Sequence, residues 1–290
     1  MVEMAFLYSN VCGALWPSRT SKQIKGAPLI VSPKALITGA SSGIGRAFAL
    51  ALARQGYSLT LVARRGRKLQ DVINDINDLD RISSQVKHRI IVADLSKNED
   101  VDQVCADITT NNYDLLINNA GAGLYKSFQS TPWTDIESRI QLNATTLAKL
   151  SYHYLAKAKS GDALINVASI VGFTPYPPAD IYAATKAFVV SLSDALWHQY
   201  QPQNIYVMTL CPGATDTKFF EAAGVDRNKN LPRFYMQTPE AVVSTALQAL
   251  KKRKKPTIIP GWQNKLFYLF MRILNRKALV QAVGKYSARQ

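Results

Sequence analysis

The stretch Thr38-Gly39-Ala40-Ser41-Ser42-Gly43-Ile44-Gly45 follows the apolar run Ala35-Leu36-Ile37 and leads into a segment of helical apolar spacing, Ile44 to Gln55. In a strand–turn–helix of this kind Gly39 permits the tight turn, Gly43 lets the backbone approach a pyrophosphate, and Gly45 allows close packing of helix on strand. Ser41, Ser42 and Ile44 complete the turn, and the first helical N–H groups face an anion. A glycine-rich turn by itself also closes loops that bind nothing, so the flanking strand and helix are what predict a dinucleotide site here.

Outward from this turn the chain alternates short apolar runs with amphipathic segments, the pattern of βαβ units and a parallel sheet. Strands are predicted at 35–38, 58–63, 89–93, 114–117, 163–168, 204–210 and 257–259. Helices are predicted at 44–55, 67–79, 98–110, 133–159, 179–200 and 239–251. The expected fold class is α/β, a Rossmann-type doubly wound parallel sheet of about seven strands in one domain over residues 34–260. Residues 1–33 read as an N-terminal arm, and residues 261–290 as a basic amphipathic segment. Within the arm, the apolar stretch Ala5 to Trp16 is shorter than the roughly 20 residues of a membrane-spanning helix. With Glu3 its only charged neighbour upstream, it also lacks the basic lead of a secretory signal.

The isolated Cys12, Cys105 and Cys211 have no CxxC spacing, which points away from a disulfide framework and toward a reducing, cytoplasmic setting. His88, His153 and His198 are scattered as well, and no metal is predicted. The formal net charge of +15 is concentrated late: Lys251 to Lys255 are all basic, further Lys and Arg follow, and no Asp or Glu occurs after them. That tail could contact phosphates, but no nucleic-acid-binding motif accompanies it, and no nucleic-acid partner is expected.

Cofactor choice is read at the end of the second predicted strand, where a carboxylate would bind the ribose 2′-hydroxyl of NAD. The sequence there is Leu61-Val62-Ala63-Arg64-Arg65. Guanidinium groups suit a 2′-phosphate, so NADP (NADPH) is expected, with Arg64 the better placed of the two. Farther on, Tyr182 and Lys186 stand four residues apart at the start of a helical pattern and share one face. A tyrosine of ordinary pKa near 10 exchanges protons poorly at neutral pH, and an adjacent ammonium would lower that value.

Jointly these motifs resemble the short-chain dehydrogenase/reductase family over about Lys34 to Ile259. The resemblance rests on Thr38 to Gly45, Asp94-Leu95, Asn118-Asn119-Ala120-Gly121, Asn143, Ser169, Tyr182, Lys186, and Pro212-Gly213 followed by Thr217. It implies that Tyr182 is the general acid in carbonyl reduction and the base in alcohol oxidation, while Ser169 hydrogen-bonds the substrate oxygen. Lys186 would hold the nicotinamide ribose, and Asn143 would position a water that relays protons toward Lys186. Asp94 and Leu95 would meet the adenine, and Asn119, Ala120 and Gly121 the adenosine and ribose. Pro212 and Gly213 would flank the nicotinamide, with Thr217 on its carboxamide or a phosphate. A homodimer or homotetramer is implied too.

Substrate choice is expected from Ile170 to Asp180 and Lys218 to Thr238. There Phe173, Pro175, Tyr176, Phe219, Phe220, Phe234 and Tyr235 could build a pocket for a lipophilic ketone, or could simply pack. The tail alternates Trp262, Leu266, Phe267, Leu269, Phe270, Ile273 and Leu274 with basic residues, as an amphipathic helix does. It could rest on an anionic membrane surface, cover the pocket, or pack on the domain or a partner. A scaffold that binds NADP without turnover is the non-enzymatic alternative, and the complete Asn143, Ser169, Tyr182 and Lys186 set argues against it.

Overall fold

The computed structural model describes residues 32–79, 86–224 and 236–287. Residues 1–31 of the arm expected over 1–33, and the pocket candidates Phe234 and Tyr235, lie outside them. The strands are β1 (Lys34–Thr38), β2 (Ser58–Ala63), β3 (Arg89–Val92), β4 (Leu115–Asn118), β5 (Ala163–Val167), β6 (Tyr206–Leu210) and β7 (Thr257–Ile258). All pair in parallel, in the order β3-β2-β1-β4-β5-β6-β7. The strand order reverses between β1 and β4, and the crevice above such a switch point is where open α/β sheets bind ligands.

Helices on both faces explain why the central strands are apolar without interruption. They are α1 (Gly43–Ala53), α2 (Gly66–Leu79), α3 (Asn98–Thr110), α4 (Trp133–Ile140), α5 (Thr146–Leu155), α6 (Asp180–Tyr200), α7 (Phe219–Ala222), α8 (Pro239–Lys252), α9 (Trp262–Ile273) and α10 (Arg276–Ser287). Successive residues of β1 point to opposite layers. Ile37 packs with Phe48, Leu52, Ile165 and Met208 on one face, and Leu36 with Val104, Ile108, Leu150 and Val207 on the other. A third cluster, with Leu147, Ile170, Val189 and Cys211, takes in Met271, Leu279 and Val283 from the C-terminal helices.

Two expectations about helices need correction. The single helix expected over 133–159 is α4 and α5 joined by a π turn, Gln141–Thr145, and α5 ends at Leu155. The wider π turn accommodates an extra residue without leaving the helix, a local change that leaves no trace in apolar periodicity. The single C-terminal helix is also two. Leu274 is extended (ψ 138°), and the Asn275 side chain accepts from the Ala278 N–H at 2.9 Å, starting α10 afresh. Among the described residues, no helix is long and apolar enough to cross a membrane.

Candidate active site

The glycine turn between β1 and α1 is fixed by its neighbours. Gly39 has φ +65° and Gly43 φ +55°, conformations that side-chain-bearing residues adopt at a cost. A Cβ on Gly45 would collide with the Gly39 carbonyl, so α1 approaches β1 only because that Cβ is missing. Thr38 and Asn119 lock the turn to the end of β4. Thr38 Oγ1 accepts from the Asn119 and Ala120 N–H groups at 2.9 and 3.0 Å, and Asn119 Nδ2 donates to the Thr38 and Gly39 carbonyls at 2.9 and 3.3 Å. The Asn119 side chain thus braces the turn as well as lining the cleft.

The cleft above the switch point encloses about 530 Å³. The half beside the glycine turn is lined by Gly39, Ser41, Ser42, Gly43, Ile44, Arg64, Arg65, Asp94, Leu95, Asn119, Ala120 and Gly121. The other half is lined by Ser169, Tyr182, Lys186, Pro212, Gly213 and Thr217. Of the residues singled out from sequence, Gly45 and Asn143 stand behind the wall. Arg64, itself exposed, lies 3.8 Å from Asp94. Burial works upward on the Asp94 carboxyl, but hydrogen bonds from Ser96 and the charge of Arg64 hold it below its ordinary value. The side chain of Thr217 sits where a Cβ on Gly43 would go, bringing the segment after β6 against the glycine turn.

Tyr182 and Lys186 come from the first turns of α6 and are both buried. Lys186 Nζ donates to the Val167 carbonyl at 2.8 Å and lies 5.7 Å from the centre of the Tyr182 ring. The expected lowering of the tyrosine is not what this geometry gives. Burial pushes the Tyr182 phenol up to about 12, with a hydrogen bond to Ser169 opposing the rise, and Lys186 contributes nothing appreciable. Burial likewise depresses Lys186 to about 8. Ser169 begins a short 3-10 turn, Ile170–Phe173, and its hydroxyl also accepts from the Val171 N–H.

Asn143, fully buried in the π turn, clamps Ala122 from both sides, Oδ1 accepting from its N–H and Nδ2 donating to its carbonyl, each at 3.0 Å. Nδ2 also reaches Thr185 Oγ1 at 3.3 Å. Its amide therefore holds the loop after β4 against α6. A Cβ on Gly121 would meet both Asn143 Oδ1 and Lys186 Nζ, at 3.2 and 3.4 Å.

The Tyr182 end of the cleft has an aromatic wall of Tyr125, Tyr176, Phe219 and Phe220, with Phe219 5.4 Å from the Tyr182 ring. Phe173 does not join it; it stacks on Tyr268 of α9 at 4.6 Å and belongs to packing. Pro175 is absent from the lining as well. Among the lining residues, Tyr125 and Asn264 were not singled out from sequence, whereas Phe267 belongs to the tail expected to cover the pocket, pack on the domain or rest on a membrane. Tyr125 follows the loop after β4 directly, a position that could have flagged it. Both Asn264 and Phe267 come from α9, and Asn264 fills the space beside Gly213, where a Cβ would strike its amide.

This chain matches the family described as short chain dehydrogenase over residues 33–228. It belongs to the short-chain dehydrogenase family. As a member it is an oxidoreductase of the carbonyl–alcohol couple. The 7beta-hydroxysteroid dehydrogenase of Mediterraneibacter gnavus is 30% identical over 236 residues, covering 79% of this chain and 86% of that protein. The very-long-chain 3-oxoacyl-CoA reductase of Anas platyrhynchos is 29% identical over 235 residues, covering 79% and 73%. Among solved structures, a short-chain dehydrogenase from Sphingobium yanoikuyae in complex with NADPH superposes with a TM-score of 0.72 at 32% identity, over 84% of this chain and 97% of that one.

Proposed function

We propose that this short-chain dehydrogenase reduces a lipophilic ketone to a secondary alcohol with NADPH, Tyr182 delivering the proton. The observation that carries the reading is the pairing of the buried Tyr182 hydroxyl with the half-buried Ser169 hydroxyl at the aromatic end of a cleft whose far end presents Arg64 and Arg65. The residues present suit the dinucleotide. The glycine turn leaves a cradle that Cβ atoms would fill, and the guanidinium groups match a 2′-phosphate. When bound, NADPH supplies the hydride.

The chain's own groups do the rest. Ser169 donates a hydrogen bond to the substrate oxygen, and Tyr182 releases its phenolic proton to that oxygen as negative charge grows there. A phenol raised to about 12 keeps its proton at neutral pH, which supports the reducing direction. The phenolate left behind keeps the Ser169 hydrogen bond and regains a proton from solvent entering the cleft, with the Lys186 ammonium 5.7 Å from the centre of its ring. Asn143 acts through position, holding Ala122 and the loop that carries Gly121 beside Lys186.

The wall of Tyr125, Tyr176, Phe219 and Phe220 supports a bulky apolar ketone over a sugar, in keeping with a relative named for a hydroxysteroid and another for a very-long-chain oxoacyl thioester. Exposed Trp133, Ile140, Tyr152 and Phe188 on α4 to α6 support a homo-oligomer built on those helices. The setting is cytoplasm-facing, in accord with the isolated thiols. The test is NADPH oxidation against ketosteroids, 3-ketoacyl thioesters and small ketones, with Tyr182→Phe as control. Turnover of the bulky ketones that falls at least about a hundredfold in the variant is the expected result. Full activity in Tyr182→Phe would sink the mechanism.

A further inference from the structure

We propose that the outward face of α9 is a docking surface for an anionic lipid bilayer, which places the mouth of the cleft against the membrane. At about 100° per residue, Trp262, Leu266, Leu269, Phe270 and Ile273 fall within an arc of roughly 100° on one side of the helix. Each is more than half exposed, from 53% at Phe270 to 82% at Ile273. The opposite side carries the inward residues, with Met271 buried in the core and Asn264 and Phe267 lining the cleft. The apolar stripe therefore does no work within the described fold, while the helix that bears it is fixed to the substrate end of the site. Monomeric soluble domains seldom leave so continuous an apolar face in water.

Charge selects the occupant. Lys265 and Arg272 are exposed along one flank of the stripe, and Arg276 and Lys277 follow at the start of α10. From Lys251 to the end of the chain there is no Asp or Glu to offset them. A second copy seated face to face would bring these cations together, since a two-fold contact pairs a patch with itself. Lipid phosphates instead accept them, the long basic side chains reaching up to the headgroups as the apolar residues sink below. This inference goes beyond the catalytic reading and stands without it.

The full chain is tested by co-sedimentation with vesicles of phosphatidylcholine alone and of phosphatidylcholine mixed with phosphatidylglycerol. Two double variants accompany it: Leu269→Glu with Ile273→Glu, and Lys265→Glu with Arg272→Glu. The wild type is expected to bind the anionic vesicles, release from them as salt is added, and bind the neutral vesicles far less. Each double variant should lower the partition coefficient at least about tenfold, because one cation at the surface contributes about fivefold. Unchanged thermal midpoints and NADPH oxidation rates in the variants would confirm that the loss is one of docking. Three outcomes overturn the proposal: no binding of wild type to anionic vesicles, equal binding by both double variants, or dissociation of an oligomer in Leu269→Glu/Ile273→Glu with vesicles ignored throughout. The last would assign the face to a second copy.

Discussion

Asn143 grips Ala122 through both ends of its amide, at 3.0 Å each way, across the gap between the π turn and the loop after β4. Neither atom of Ala122 has a helix or strand partner to fall back on in that loop. Asn143→Ala leaves the half-buried N–H and carbonyl of Ala122 without their partner, a loss of about 1 kcal/mol for each hydrogen bond. We expect a lowered unfolding free energy in urea together with a reduced kcat. Asn143→Asp should recover the contact to the N–H alone. A kcat that falls with no loss of stability would mean that the amide takes part in the chemistry directly.

Gly45 tests the cradle. Its missing Cβ is what lets α1 lie against the Gly39 carbonyl, so Gly45→Ala must lift the helix or distort the turn. Overpacking of this kind costs about 1–3 kcal/mol. Part of that appears as roughly tenfold weaker NADPH binding, measured by fluorescence titration. Binding at wild-type strength would show that the turn does not need its observed shape.

Arg64 is expected to set cofactor preference. Because the side chain is largely exposed, its charge-assisted hydrogen bond to a 2′-phosphate is partly screened. Arg64→Ala should raise KM for NADPH about tenfold and leave KM for NADH nearly unchanged. An equal rise for both would place Arg64 on a part of the dinucleotide common to the two.

Lys186 should leave its mark on the pH dependence of stability. Its ammonium is depressed from 10.5 to about 8 in the fold, so between those values the unfolded chain binds more protons and stability rises with pH. Tyr182 acts the other way: raised from 10 to about 12, it keeps a proton that the unfolded chain loses, and stability falls across that range. Lys186→Met removes only the first effect. Relative to wild type, the variant should be favoured most below pH 8, and the difference should shrink by about 3 kcal/mol by pH 10.5. Urea denaturation at a series of pH values measures it, and a difference flat with pH would contradict the burial argument.

The sheet was legible because strands buried on both faces read as short apolar runs, and Ser58–Ala63 is found as expected from sequence. The glycine turn was legible for the same local reason: Gly39 and Gly43 occupy conformations their residue type announces. Periodicity could not show the π turn at Asn143, since an added residue in a helix shifts the apolar face only slightly. Nor could spacing reveal that burial raises the Tyr182 phenol, because desolvation depends on the whole surrounding wall. Asn264 was missed because nothing in the sequence tells that α9 returns to Gly213. The tail read as a single amphipathic helix also hid Asn275, whose capping role needs the chain direction to change.

The bridge between Thr215 and Gln237 has a practical meaning for retargeting this enzyme. Asp216 donates to the Gln237 carbonyl at 2.8 Å, Gln237 donates to that of Ala214 at 2.9 Å, and Asn264 holds the Gln237 side chain. The two ends of the intervening stretch are thus stitched together at a fixed base. The described pairing at Ala214, Asp216 and Gln237 therefore supplies defined splice points on either side of that stretch. Exchanging residues 218–236 for the equivalent stretch of another dehydrogenase should graft new substrate tastes onto an unaltered NADPH-binding frame.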